Sequence, residues 1–102
     1  MKVEVTKSSS AERDFVSLLQ YFGAIDDALA SRFSEAYDDT IEMIADFPDL
    51  GMPWESKRKR YQNLRWRNVE DFENYIVVYS RNESRVRIVR LLDARRDLEP
   101  LF

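Results

Sequence analysis

The chain has 102 residues, of which 44% are hydrophobic and 13% aromatic, so it has about the size and apolar content of one domain with one core. We therefore expect a single domain over residues 1–102. It contains neither cysteine nor histidine, which excludes disulfides, thiolate metal sites and the commonest general base. Catalysis would have to use Arg, Lys, Asp, Glu or Tyr, and no pattern indicates a metal or an organic cofactor.

The formal net charge of −3 hides a division between two halves. Residues 1–51 contain 4 lysines and arginines against 11 aspartates and glutamates, whereas residues 52–96 contain 12 against 6. This pattern predicts an acidic half and a basic half, with an overall field that steers polyanions poorly. There is no apolar run near the roughly 18 residues that span a bilayer, and "MKVEVTKSSS" lacks a signal-peptide core, so we expect a cytoplasmic protein.

The first half predicts a strand followed by a helical hairpin. Residues 1–6, "MKVEVT", alternate polar and β-branched side chains. Ser9 and Glu12 then have capping-box spacing, and an apolar stripe at helical spacing ends near Gly23. A second apolar stripe over residues 29–44 follows after a very short connection. Two helices joined in this way pack antiparallel.

The second half predicts three strands. The prolines and glycine of "FPDLGMP" end the second helix, and residues 57–60 form a basic polar loop. The stretches "NLRWRNV", "NYIVVYS" and "RVRIVRLL" then have strand-like composition, with turn-like joints between them. The predicted fold class is α+β, a helical hairpin packed on a small antiparallel sheet in the order β-α-α-β-β-β with a short C-terminal tail.

Two arginines alternate with apolar residues in the first of these three strands. Because strand side chains alternate between faces, Leu64 and Trp66 are predicted on one face, and Arg65 and Arg67 on the open face of the sheet. Such a pair is either an anion clamp or a solvated face. The basic loop, residues 57–60, offers the same two alternatives, because its neighbouring aromatics would allow it to bind phosphates and stack a base.

Arg90 interrupts the last predicted strand. Strict alternation places it in one row with Val86, Ile88 and Leu92. A guanidinium in an apolar row usually finds a carboxylate or a carbonyl partner, and the nearby candidates are Asp93 and Asp97.

Four stretches, in this order and spacing, resemble the RelE/ParE superfamily of bacterial toxins from toxin–antitoxin operons. They are "VEVTKSSSAERDF", "ADFPDLG", "LRWRNVEDFENYIVVYS" and "VRIVRLLDARRDLEPLF". The resemblance covers nearly the whole chain. The fold that it implies, a helical hairpin on a small antiparallel sheet, agrees with the fold predicted from periodicity.

The resemblance leaves more than one activity open. RelE-like members cleave messenger RNA on the ribosome with several Lys and Arg side chains, and often with a Tyr, His or Glu for proton transfer. In a nuclease of this kind the candidate residues would be Arg65 and Arg90 as the phosphate clamp, Lys57 or Arg58 as a helper, and Asp93 or Tyr75 for proton transfer. ParE-like members inhibit DNA gyrase and lack that residue set. A third possibility is a member that has lost its toxicity.

Asp93 favours the ParE-like alternative. Many relatives end the last strand with a histidine where this chain has "LLDARRD". A carboxylate with an ordinary pKa of about 3.9 is negative at pH 7 and repels an RNA phosphate unless an arginine neutralises it. The acidic net charge points the same way. We therefore expect a gyrase inhibitor, in which Asp93 is the structural partner of a nearby arginine.

The resemblance also implies a small antitoxin encoded alongside. A groove beside the helical hairpin would bind an antitoxin helix, if its apolar residues are not already core; otherwise the antitoxin uses the sheet edge. These residues are Leu18, Phe22, Phe33 and Tyr37. Because the sheet half is basic, we expect an acidic antitoxin tail to favour the sheet side. The candidate contact residues for target or antitoxin are Arg65, Arg67, Arg90, Arg95, Arg96, Phe22 and Phe33.

Overall fold

The computed structural model describes residues 3–55 and 63–96. Within these ranges two helices pack on one face of a five-stranded sheet with the strand order β1-β5-β4-β3-β2. The elements are β1 (Glu4–Lys7), α1 (Ser9–Ile25), α2 (Asp27–Asp46), β2 (Met52–Pro53), β3 (Leu64–Val69), β4 (Phe72–Arg81) and β5 (Arg85–Asp93). The predicted α+β class and helical hairpin are confirmed.

Two features of the sheet differ from the prediction. The sheet is mixed, because β1 runs parallel to β5 while the other pairs are antiparallel. In addition, a two-residue strand, β2, pairs with β3. Side-chain alternation carries no information about strand direction, and two residues are too few to show a period. Neither feature therefore had a sequence signal.

The two helices begin and end one or two residues away from the predicted positions. The Oγ of Ser8, and not that of Ser9, accepts the capping hydrogen bond, from the backbone N–H of Ala11 at 3.0 Å. Gly23 lies inside α1, which continues to Ile25. A single residue, Asp26, then caps both helices, and its carboxylate accepts from the N–H of Ala28 at 2.9 Å. The predicted very short connection is therefore one residue long.

The core lies between the helices and the sheet. Its centre is a cluster of aromatic rings whose centroids are between 4.7 and 6.5 Å apart. The rings belong to Phe15, Phe22, Phe33, Tyr37, Phe72 and Tyr75. Full burial of one such side chain stabilises a fold by roughly 1.5–3 kcal/mol, so this cluster fixes the helices on the sheet.

The opposite face of the sheet is apolar as well. It carries a smaller cluster of buried residues, with two tryptophans packed against it. The buried residues are Leu64, Ile76, Val78 and Leu92. The sheet therefore has apolar side chains on both of its faces, which a helical hairpin on one face does not by itself predict.

A β-bulge in β5 changes which residues share a face. Val78 pairs with Arg90, but its neighbour Tyr79 pairs with Ile88, so residue 89 is extra. One extra residue reverses the side-chain alternation beyond it. Accordingly Ile88 lies in the main core, whereas Leu92 lies in the cluster on the opposite face. The prediction that Arg90 shares one row with both was wrong for this reason.

The turn between β3 and β4 is fastened to α2. The buried Thr40 hydroxyl donates to the Ala36 carbonyl at 2.7 Å and accepts from the N–H of Glu70 at 3.0 Å. Asp71, the next residue, has a φ of 63°, a conformation that aspartate tolerates better than most residues. This turn forms one end of a groove beside α1, which is described with the candidate site.

Candidate functional site

Arg90 is joined to α1. Its Nε lies 2.7 Å from Asp14 Oδ2 and its Nη2 lies 3.0 Å from Asp14 Oδ1, and the two side chains are only 18% and 17% exposed. The same carboxylate accepts from the N–H of Leu91 at 3.0 Å. Asp14 thus neutralises Arg90 and also covers an edge of β5 beyond the end of β1. A carboxylate partner for Arg90 was predicted, but Asp14 was not; Asp97 lies outside the described residues.

Arg65 is joined to the turn that follows α2. Its Nη1 donates to the Gly51 carbonyl at 2.8 Å, and its Nη2 lies 3.7 Å from Asp49 Oδ1. Because Arg65 stands opposite Tyr79, it shares the helix-bearing face of the sheet. The prediction of an open face was therefore wrong.

Tyr79 binds the same turn through its hydroxyl group. Its hydroxyl accepts from the N–H of Gly51 at 2.8 Å and donates to the Pro48 carbonyl at 2.8 Å. Burial raises the pKa of Tyr79, so the hydroxyl keeps the proton that it donates. A Cβ on Gly51 would lie 2.6 Å from this hydroxyl and 2.9 Å from the Trp66 carbonyl oxygen. Only glycine fits there.

Asp93 pairs with an arginine, as expected. Arg95 contacts it through two side-chain nitrogens at 2.9 and 2.8 Å, and through its backbone N–H at 3.0 Å. The hydrogen bonds from Arg95 lower the pKa of Asp93, while burial raises the pKa of Tyr75. At neutral pH Asp93 is therefore charged and Tyr75 protonated. Neither group is tuned for proton transfer near pH 7.

The remaining predicted cations are not gathered into one site. Arg67, half-buried, and Arg96, exposed, have no hydrogen bond or ion pair of their side chains among the described residues. Lys57 and Arg58 lie outside the described residues. Arg65 and Arg90 belong to β3 and β5, which are separated by β4 and so lie about 10 Å apart in backbone. The two bind to different elements, so they do not converge on one phosphate.

An open groove lies beside α1. Its cavity of about 430 Å³ is bounded by the end of α1, the β3–β4 turn, the start of β4 and Arg95. Tyr21 and Ile25 line it and are 57% and 62% exposed. Phe22 and Phe33, predicted as contact residues, are buried in the core instead, and so is Tyr37. Leu18 is half-buried against the core.

The described residues show neither a metal centre nor a membrane-spanning helix. Within residues 3–55 and 63–96, no group of three or more aspartates and glutamates is placed to hold a metal ion. No described helix is long and apolar enough to cross a bilayer.

Residues 5–98 match the model of a protein family described as the ParE toxin of the type II toxin–antitoxin system, parDE. This chain belongs to the ParE toxin family. A solved structure described as the chromosomal ParDE TA system from P. aeruginosa has a similar fold, with a TM-score of 0.70, 10% identity, and coverage of 88% of this chain and 94% of that chain. At that identity the likeness shows the fold alone. No curated protein sequence matches the chain.

Three structural features of this ParE-family chain had no clear sequence signal. The Asp14–Arg90 pair joins residues 76 positions apart, and the Tyr79–Gly51 bond joins residues 28 positions apart. The exposure of Ile25 depends on α1 continuing past Gly23. The one hint of this exposure in the sequence was an apolar pair at i, i+4 in the last turns of α1, formed by Tyr21 and Ile25.

Proposed function

We propose that this toxin acts in the cytoplasm, as one domain, by binding DNA gyrase and not by cutting messenger RNA. Family membership supports a toxin with a cognate antitoxin. The choice of gyrase as the target rests on the resemblance to ParE-like members. The choice of binding over catalysis rests on the described arginines and their partners.

The observation that carries the proposal is that Arg90 and Arg95 are neutralised by carboxylates of the same chain, while Arg65 binds the turn after α2. Cleavage of RNA requires cations that converge on the developing phosphorane charge, and a group that transfers a proton. Arg90 instead contacts Asp14, and Arg95 contacts Asp93. Arg65 directs its shortest hydrogen bond to the carbonyl of Gly51. These guanidiniums stabilise the fold, so a phosphate would have to displace their own partners.

The proton-transfer requirement is also unmet. Asp93 stands at the end of the last strand, where a nuclease of this superfamily often has a histidine. Its pKa is lowered by Arg95, which makes it a weak base at pH 7. The raised pKa of Tyr75 makes that residue a weak acid. A protein-binding toxin needs neither group to titrate.

Inducible expression of the chain alone in a bacterium tests the proposal, with plasmid supercoiling and protein synthesis measured separately over time. We expect supercoiling to fall while protein synthesis initially continues. An immediate stop in protein synthesis, with cut messages, would establish the nuclease alternative. Normal growth with both readouts unchanged would indicate a member that has lost its toxicity.

A further inference from the structure

A row of polar residues crosses the sheet on the face opposite the helices. Arg87 of β5 pairs with Thr6 on one side and with Ser80 on the other. Ser80 in turn pairs with Leu64, which belongs to the buried cluster on the face opposite the helices. Directly paired residues share a face of the sheet. The side chain of Arg87 therefore lies on that outer face, between two residues that carry hydroxyl groups.

This row lines a cavity of about 250 Å³ near the start of β5. As the described residues form it, the lining contains three arginines, two hydroxyl groups and one amide. Unlike the groove beside α1, it contains neither a carboxylate nor an apolar side chain. We call it the arginine cavity; its residues are Thr6, Ser80, Arg81, Asn82, Arg85 and Arg87. Such a lining is complementary to an anion.

Three side chains of the arginine cavity have unused hydrogen-bond donors. Within residues 3–55 and 63–96, the side chains of Thr6, Ser80 and Arg87 make no hydrogen bond or ion pair. Neighbouring strands are about 4.8 Å apart, so the two hydroxyl groups flank the guanidinium closely. A planar carboxylate is satisfied by a guanidinium alone, whereas a phosphate has further oxygens outside that plane. This arrangement of donors therefore suits a phosphate better than a carboxylate.

The other two arginines of the cavity have carboxylate partners outside it. Arg81 lies 2.6 Å from Asp49, and Arg85 lies 3.3 Å from Glu4. The side chains of Arg85 and Glu4 are 54% and 64% exposed, and exposed ion pairs of this kind are weak. Arg87 is thus an unpaired cation, and Arg85 is a second cation whose partner exchanges readily with another anion.

The acidic helices are separated from the arginine cavity by the sheet. The helices pack on the other face, and α2 carries a series of exposed carboxylates, which are Asp27, Glu35, Asp38, Asp39, Glu42 and Asp46. A helix with its side chains is about 10–12 Å across, which exceeds the Debye length of about 8 Å at physiological ionic strength. The net charge of −3 therefore weakens long-range attraction of a polyanion without neutralising the cavity.

We propose that the arginine cavity binds a phosphate group of a DNA backbone. The choice of DNA rests on the proposed function, because gyrase acts on DNA and a toxin bound to gyrase would lie beside that DNA. No group in the lining titrates near pH 7, so the phosphate is bound and not cleaved. Arg85 and Arg87 lie at the start of β5, whereas Asp93 ends this strand. The cavity is therefore distinct from the strand end where the nuclease alternative has its proton-transfer group.

The first test measures binding of a short labelled DNA duplex to the full chain, by fluorescence anisotropy over a series of salt concentrations. Arg87→Gln removes the unpaired guanidinium. Arg32→Gln is the matched control, because Arg32 is an exposed arginine of α2 outside the cavity and its loss changes the net charge equally. We expect Arg87→Gln to weaken binding about fivefold or more at about 50 mM salt, and to reduce the slope of log affinity against log salt by about 1. Arg32→Gln should change the affinity less than about twofold.

The second test removes hydroxyl groups without changing the charge. Thr6→Val and Ser80→Ala each delete one donor of the cavity, and Ser17→Ala deletes an exposed hydroxyl of α1 as the control. The probe is inorganic phosphate, whose binding is followed through the NMR shifts of the backbone amides of the cavity residues. We expect Thr6→Val and Ser80→Ala each to weaken phosphate binding about threefold or more. Both should leave the salt slope of DNA binding unchanged, and Ser17→Ala should alter neither quantity.

Four results would overturn the proposal. They are undiminished DNA binding by Arg87→Gln, an equal loss with Arg32→Gln, wild-type protein that binds no duplex whether or not it binds phosphate, and single-stranded RNA that binds through Arg87 more tightly than the duplex. Thermal unfolding of each variant separates a lost contact from a lost fold. The binding measurements contain no gyrase. DNA binding through Arg87 by a toxin that leaves gyrase active would therefore remove the gyrase proposal alone, and gyrase inhibition without DNA binding would remove the cavity proposal alone.

Discussion

The turn after α2 and the groove beside α1 use the same pair of residue types in different ways. In the turn, Arg65 and Tyr79 direct their polar groups to backbone atoms, and both bind Gly51. At the groove, Arg95 lies beside the Tyr75 ring but remains 61% exposed on a surface that no described element covers. Polar groups satisfied inside the chain stabilise the fold, whereas apolar groups left uncovered are available to a partner. Of these two regions, the groove is therefore the one with fewer internal contacts.

The largest expected effect is on the turn, through Gly51→Ala. Its Cβ would meet the Tyr79 hydroxyl and the Trp66 backbone, which cannot both move away. We expect a loss of about 3 kcal/mol or more in the free energy of unfolding, measured by urea denaturation. Gly23→Ala, within α1, is the control, because its Cβ would meet only Ala30 of α2, at an ordinary contact distance of 3.8 Å. It should stabilise the protein by about 0.5–1 kcal/mol, and similar effects of both substitutions would contradict the account.

The second-largest effect is expected at Asp14, on the face of α1 that continues into the groove. Asp14→Asn removes the carboxylate that pairs with the partly buried Arg90 and weakens the cap on Leu91. We expect a loss of about 2–3 kcal/mol, somewhat below that of a fully buried pair because both side chains are nearly one fifth exposed. Asp38→Asn, on the exposed side of α2, should change stability by less than about 0.5 kcal/mol. A stable Asp14→Asn protein that gained RNA cleavage would show Arg90 to be a masked clamp.

A comparison of two buried tyrosines, Tyr79 and Tyr37, measures how much the hydrogen bonds of Tyr79 to the turn contribute to the free energy of unfolding. Tyr79→Phe removes a hydroxyl that both donates and accepts, so we expect a loss of about 1–2 kcal/mol. The Tyr37 hydroxyl is also buried but has no hydrogen-bond partner in the described part of the protein. Tyr37→Phe should therefore be neutral or stabilising. Equal losses in thermal unfolding experiments would mean that the hydroxyl of Tyr79 does not fasten the turn.

The smallest effect is expected at the groove end, through Asp93→Asn. Arg95 lowers the pKa of Asp93 in the folded protein, so the contribution of the pair is complete above the unfolded pKa of about 3.9. It disappears as the pH falls through the lower folded value. We expect a loss below about 1 kcal/mol at pH 7 that vanishes in acid, with toxicity retained. Unchanged stability at both pH values, together with unchanged toxicity, would show that Asp93 has no structural role.

Most of the fold was predictable because it depends on local periodicity. The stripe through Phe15, Leu18 and Phe22 and the β-branched strands do face the core where the patterns place them. The bulge at residue 89 was not predictable, since one extra residue leaves no trace in a short alternating strand. The bulge reversed the face of the sheet on which the following side chains of β5 lie, and so it changed the expected environment of Arg90.

The candidate surfaces were predictable only in part. An arginine partner was foreseen for Asp93 without naming which one, and it is Arg95, two residues away, and not Arg90; the partner of Arg90, Asp14, is distant in sequence. The groove was expected beside the helical hairpin, but its residues were not. Phe22 and Phe33 are as apolar as Tyr21 and Ile25, and tertiary packing alone decides which of them is covered.

The most direct test of the central claim is the supercoiling of relaxed plasmid by purified gyrase in the presence of increasing amounts of the purified toxin. We expect supercoiling to fall with toxin concentration and to recover when the antitoxin is added, while the same toxin leaves ribosome-bound messages intact. Fully active gyrase, together with messages cleaved by that preparation, would contradict it and make the strand arginines part of an active site.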